Sequence, residues 1–484
     1  MTLPAPDATI RLASRRGRLI LTTVALGSGM VFLDGTIVNV AVDRIGRDFH
    51  AGFSELQWVL NAYLLALAGL MLLGGALSDR FGRRRIFLLG AVWFGSCSLL
   101  CAVAPDATTL LVARGLQGVG GALLTPGSLA IISATFGAAD RTAAVGAWSG
   151  LAGVGGALGP LLGGWLVQYA SWRWAFALNV PLAAAVFVIG RRAVPESRAD
   201  DTDGDAGPRR LDVVGAATGT LALGCLTLGA THAGSAGWSA ETIGITGAGV
   251  AAFAVFLVIE RLRTDPLVPL RMFRDRTLGG ANLMTLLTYA ALGAIMFVLV
   301  LDLQVSAGYT ALRAGLALLP FTMVLLVLSR RSGALASRVG VRVPLTVGPL
   351  CAAAGALLLT RVDLAHHAYV TRVLPGVLLL ALGMTLLIPP LVTAAMTRAP
   401  RGDVGIASAV NNAVARAGNL LAVAILPPLA GLRGDRYRNP GVMSHGYRIV
   451  MLSCCGLMIC AALIVVAFGV GVAERDHGRP ELAR

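Results

Sequence analysis

Residues 75–85 read GALSDRFGRRR, and residues 333–342 read GALASRVGVR. The two align as Gly-Ala-Leu-x-x-Arg-x-Gly-x-Arg, and each sits between long apolar runs. One short polar turn, written twice in a mostly apolar chain, predicts a duplicated membrane-spanning unit. The second copy has Ser337 where the first has Asp79, so any role of that acid belongs to one half only.

Composition agrees with this reading. Of 484 residues, 56% are hydrophobic and 13% charged, with a mean hydropathy of +0.76, which is far from the balance of a water-soluble globule. A helix needs about 20 mostly apolar residues to cross the hydrocarbon core. Apolar runs between charged or Gly/Pro-rich breaks supply about fourteen such stretches. The expected fold class is an all-α polytopic membrane protein of two six-helix halves with two extra central spans. In residues, this plan places the first half at 1–192, a cytoplasmic linker at 193–210 and the two extra spans at 211–262. A cytoplasmic loop at 263–276, the second half at 277–472 and a cytoplasmic tail at 473–484 complete it.

The formal charge of +15 invites a nucleic-acid reading, but its distribution argues otherwise. All 40 basic residues are Arg. With the N-terminus inside, about 28 fall on cytoplasmic loops and about 10 on outer ones, the asymmetry of a multi-pass protein with both termini in the cytoplasm. Without a Lys there is no Walker A phosphate ligand and no Schiff-base amine, so neither a nucleotide-driven pump nor such an enzyme is expected. Arg11, Arg15, Arg16 and Arg18 precede an apolar run too long for a signal peptide, which reads as an uncleaved first span. The seven cysteines lie in apolar segments without metal-ligand spacing and read as small buried hydrophobes. No metal site, cofactor, nucleotide or nucleic-acid partner is expected.

Six motifs in order then resemble the major facilitator superfamily, and within it the fourteen-span drug:proton antiporter family. GALSDRFGRRR resembles the cytoplasmic loop motif, RGLQGVGGA (114–122) the fourth-span motif and GGALGPLLGG (155–164) the antiporter motif of span 5. LDGTIVNVAV (33–42), WRWAFALNVP (172–181) and GIASAVNNAVARAG (405–418) resemble further signatures of the drug:proton families. Departures occur at Ala41-Val42-Asp43, where the signature usually continues Ala-Leu-Pro, and at Asp302, where an aromatic is more common. The resemblance implies multidrug or antibiotic efflux from the cell membrane. It also implies coupling through a first-span acid, here Asp34, which in the family is associated with binding cationic drugs.

The residues themselves make Asp34 the focus. An acid at the bilayer centre costs about 2.5–3.5 kcal/mol even on the cheaper insertion scale, so an intramembrane Asp is a functional candidate by default. At 1.5 Å per residue, Asp34 lies roughly 13 Å below the outer end of its span, and Arg114, in a span running the other way, roughly 9 Å below its own. The two are at a depth where they can meet, with Gln117 one turn from Arg114 on the same face. Burial favours a neutral acid and a guanidinium favours the carboxylate, so a small change in access loads or releases a proton. A fixed structural ion pair is the competing reading. Asn39 reads as interhelical glue.

Other residues fall into three groups. Gly155, Gly159 and Gly163, with Gly164 beside them, form a smooth stripe for close helix approach, and Pro160 bends the span. Gly75, Asp79, Arg80, Gly82, Arg83 and Asp140 are candidates for a cytoplasmic gate, with Arg83 expected to pair with an acid such as Asp140. Ser408, Asn412, Arg416 and Asn419 share one helix face and line either a cavity or an interhelical seam. Asp302 reads as an interfacial, hydrated acid, and as a cavity residue favouring cations if it faces inward. The expected protein is a monomeric, non-enzymatic, proton-driven exporter of amphipathic, cationic compounds. Alternatives are an exporter of one endogenous cargo and a transport-dead sensor.

Overall fold

A computed structural model describes residues 10–198, 211–362, 369–397 and 404–470. The interior of the expected linker with Arg209 and Arg210, the side chain of Ser337 and the tail from 473 lie outside the described residues.

Inside hydrocarbon a chain must satisfy its own backbone hydrogen bonds, and among the described residues fourteen helices are long and apolar enough to cross a membrane. The first six are α1 (Arg15–Asp48), α2 (Phe53–Phe81), α3 (Arg83–Ala102), α4 (Ala107–Thr135), α5 (Ala139–Tyr169) and α6 (Arg173–Ala193). A hairpin follows, α7 (Val213–Ala236) and α8 (Ala240–Leu262). The last six are α9 (Arg276–Val305), α10 (Ala311–Ser329), α11 (Arg342–Leu359), α12 (Tyr369–Met396), α13 (Gly405–Leu429) and α14 (Pro440–Ala467).

Short polar residues set where several of them begin. Asp106 caps α4 by accepting the Thr109 amide at 2.8 Å. Asp275 caps α9 by accepting the Thr277 and Leu278 amides at 2.7 and 3.0 Å. The repeated turn has its own physical cause: Gly82 and Gly340, at matching places in the two copies, adopt φ of 110° and 84°, a region that side chains disfavour.

The duplication is visible in the packing. In the first half α1 packs on α5, α3 on α4 and α2 on α4; in the second α9 packs on α13, α11 on α12 and α10 on α12. The α7–α8 hairpin lies outside both sets, with α7 against α2 and α13 and therefore touching both halves. Trp58 on α2 donates to Thr231 on α7 at 3.2 Å. Close approach is bought with glycine. A Cβ on Gly155 would lie 2.6 Å from the Gly29 carbonyl oxygen, and one on Gly163 2.7 Å from Ile37 Cγ1, so α5 lies almost backbone to backbone on α1. A Cβ on Gly164 would lie 2.7 Å from Leu312 Cα, so the same stripe also meets α10 of the other half.

Ties between the halves gather at the end away from the termini. There Gln304 donates to the Val40 carbonyl at 3.3 Å, and Arg438 to the carbonyls of Gly46 and Ala51 at 3.2 and 3.3 Å. Gln57 donates to the Val423 carbonyl at 2.5 Å, and the Phe53 ring stands 5.5 Å from that of Tyr437. At the other end Gly146, Gly150 and Gly153 of α5 face open space. The halves are therefore drawn together at one end.

The glycine stripe yields a test. A Cβ on Gly159 would overlap the Thr36 hydroxyl, so Gly159→Leu is expected to lower stability by about 1–3 kcal/mol through overpacking. Gly146→Leu, in open space, is expected to stay within about 0.5 kcal/mol. Unfolding of the purified variants in detergent measures both.

Candidate functional site

Five helices of the first half converge on Asp34. Its carboxylate is 0% exposed, as are the side chains of Arg114, Gln117 and Asn179. Arg114 Nη1 donates to Asp34 Oδ2 at 2.5 Å, and Gln117 Nε2 donates to Oδ1 at 2.9 Å. Asn179 Nδ2 adds a third donor, to Oδ1 at 3.1 Å. Arg114 and Gln117 are three residues apart on α4, which aims both at α1.

A second layer orients the first. Arg114 Nε donates to the Val59 carbonyl on α2 at 2.9 Å, and Arg114 Nη1 to Gln117 Oε1 at 2.6 Å. Gln117 Nε2 also donates to Ser98 Oγ on α3 at 2.6 Å. The Arg114 guanidinium carbon sits 4.4 Å from the Tyr63 ring centroid and 5.5 Å from that of Phe176. Two polar atoms are left over, Arg114 Nη2 and Asn179 Oδ1, neither with a hydrogen-bond partner. The pair is thus neutral as a unit and nearly satisfied.

Sequence reasoning reached Asp34, Arg114 and Gln117 but not Asn179 or Ser98. The signal for Asn179 was present, since it is the only polar residue between Trp174 and Arg191. What places it is the break of α6 at Leu178, which starts a new helical piece at Asn179.

Beside this network lies a cavity of about 210 Å³ between the halves. The first half gives it Phe32, Asn39, Tyr63, Arg114 and Pro160, and the second half gives Tyr289, Phe321, Arg416 and Asn419. The antiporter stripe thus reaches the cavity through Pro160, while Gly155, Gly159, Gly163 and Gly164 hold helices together.

Several expected placements are corrected. Asn39 is not interhelical glue: its amide donates to Gly35 O one turn back at 3.1 Å and the residue lines the cavity. Asn412 does not line it: it is exposed and donates to Ser408 O at 3.0 Å. The interhelical bond belongs to its neighbour Asn411, which is buried and donates to Thr285 Oγ1 on α9 at 2.8 Å, because one residue rotates a helix face by about 100°. Asp302 is buried at 1% exposure and absent from the cavity wall, because the end of α9 is covered by α14; its Oδ1 has no partner.

At the gate candidates, Arg83 pairs not with Asp140 but with Asp79 at 3.1 Å, its neighbour at four-residue spacing across the Gly82 turn. Asp140 instead accepts the Leu12 amide at 2.8 Å, tying the chain before α1 to the start of α5. Arg84 pairs with Glu196 at 3.5 Å. Arg80 lies over the Phe81 ring at 5.6 Å, and Gly75 packs against Pro126 of α4. Among the described residues no group of three or more His, Cys, Asp or Glu is placed to hold a metal.

The ion pair yields a stability test. Removing one member of a buried pair leaves the other charge unpaired, so Arg114→Gln is expected to lower stability by about 3–5 kcal/mol. Asp34→Asn with Arg114→Gln is expected to recover part of that loss, and a double-mutant cycle of unfolding in detergent reads the coupling.

The network and cavity lie in a chain whose residues 24–423 match the family profile described as the Major Facilitator Superfamily. A tetracenomycin C resistance and export protein of Streptomyces glaucescens is 35% identical over 86% of this chain and 76% of its own length. A puromycin resistance protein of Streptomyces alboniger is 34% identical over 92% and 90%, and a cephamycin export protein of Amycolatopsis lactamdurans 33% over 94% and 95%. Among solved structures, an auto-inhibited POT family peptide transporter superposes with a TM-score of 0.67 at 18% identity, covering 96% of this chain and 99% of that one. A D-xylose-proton symporter gives 0.64 at 17%, covering 91% and 97%. On its duplicated fold and these relatives, the chain is a membrane transporter and belongs to the Major Facilitator Superfamily.

Proposed function

We propose that this transporter is a proton-coupled exporter of amphipathic small molecules, drugs or antibiotics among them, working as a monomer in the cytoplasmic membrane. The observation that carries the reading is the Asp34 carboxylate, fully buried among Arg114, Gln117 and Asn179 at the edge of a cavity shared by the two halves. The names of the relatives support the export of antibiotics.

The cycle follows from the geometry. With the Arg-rich loops in the cytoplasm, the end drawn shut is the outer one, and the cavity takes cargo from inside. Opening outward separates Gln304 from Val40 and Arg438 from Gly46 and Ala51, and lets protons reach Asp34. A protonated Asp34 loosens its hold on Arg114, the halves rock back, and the proton leaves to the cytoplasm as the ion pair re-forms. The energy source is the proton gradient, and no cofactor is invoked.

Inside-out vesicles with an imposed proton gradient test this. Addition of a transported amphipath is expected to release protons with the wild type and to release none above background with Asp34→Asn. Undiminished release in Asp34→Asn would return the acid to a structural role. Cysteine labelling from either side of intact cells places His50 outside on this account; labelling of that position only from the cytoplasm would reverse the cycle.

A further inference from the structure

The cavity holds a cation that the proposed exchange does not use. Arg416, on α13, lines the wall with its guanidinium carbon 5.4 Å from the Phe32 ring centroid, and no carboxylate among the described residues pairs with it. The other guanidinium of the wall, Arg114, is neutralised by Asp34 at 2.5 Å. Asp34 itself is 0% exposed, and the wall contains no Asp or Glu. The cargo therefore meets one uncompensated positive charge and no accessible negative one.

We propose that Arg416 is the cargo-recognition residue, and that the cargo is an acidic aromatic molecule carrying a carboxylate or another ionised oxygen. The proposal rests on the exporter reading above and names the substrate class of that cavity. A guanidinium half removed from water requires acceptors, and its planar fork fits a carboxylate through two parallel hydrogen bonds. The Phe32 ring holds the guanidinium in place without satisfying any of its N–H donors. Tyr63, Tyr289 and Phe321 supply ring faces for the apolar body of the cargo. A permanent cation, in contrast, meets a like charge with no acid to offset it. This reverses the cationic preference expected from Asp34, because that acid is spent on Arg114.

The charge of the cargo also sets the driving force. One anion leaving in exchange for one proton entering moves two positive charges' worth of current inward, so an inside-negative potential drives export; exchange of a monovalent cation for a proton moves none. Antiport then rests on alternate occupancy of one cavity in its two openings, not on direct competition of charges.

The cavity is smaller than the ~300–1,000 Å³ of drug-sized sites, so a bicyclic acid is a suitable probe. Binding of coumarin-3-carboxylate, its ethyl ester and a trimethylammonium-bearing coumarin to the purified full chain is read by fluorescence. The wild type is expected to bind the acid at least about tenfold more tightly than the ester, with the ammonium compound weakest. Arg416→Gln should abolish the difference between acid and ester, and Arg416→Lys should keep part of it. An ammonium probe that binds as well as the acid overturns the proposal, as does an acid preference that survives in an Arg416→Gln protein with wild-type melting, or an acid that does not bind at all. Acid preference without substrate-triggered proton release would instead sink the exchange reading and leave this one standing.

Discussion

One constraint organises this molecule: a carboxylate with no access to water, placed inside a bundle that has little else to offer it. Asp34 must find donors, and it finds three on two other helices. Arg114 and Gln117 are in turn fixed by a carbonyl, a hydroxyl and rings on α2, α3 and α6, so the position of one acid is written into most of the first half. Arg114 depends on this acid in turn, since its Nη2 is without a partner and, among the described residues, Asp34 is the carboxylate it pairs with.

The glycine stripe carries that dependence toward the other half. α5 lies almost backbone to backbone on α1, and through Gly164 the same helix meets α10 of the other half. A shift of α1 around Asp34 is therefore felt at the interface between halves without any polar relay. Packed surfaces of this kind pass between discrete arrangements and resist gradual deformation. The α7–α8 hairpin sits on the same interface, with α7 touching α2 and α13, while the cavity wall comes from seven of the twelve helices of the two halves.

Much of this was legible beforehand, for reasons that differ by residue. The repeated turn at 75–85 and 333–342 carried the architecture, since a glycine at positive φ in both copies leaves a mark that composition cannot blur. Asp34, Arg114 and Gln117 were readable because charges are scarce in apolar spans and helical spacing puts Arg114 and Gln117 on one face. Asn179 was marked as the only polar residue between Trp174 and Arg191, but the direction of its side chain depends on the helix break at Leu178, which spacing alone does not give. The exchange of roles between Asn411 and Asn412 shows the limit of periodicity: it gives a face, and its direction is set by packing. Asp302 was misread for the opposite reason, since distance along a helix says nothing about which neighbour covers its end.

The central claim is that the protonation state of Asp34 sets which end of the cavity is open. Spin labels at His50 and Arg436, on opposite sides of the closed end, report this as a distance distribution by double electron–electron resonance. The account predicts that acidification moves the wild type toward shorter distances, and that Asp34→Asn shows a single distribution at every pH. A pH response that persists undiminished in Asp34→Asn would contradict it and place the switch on another acid.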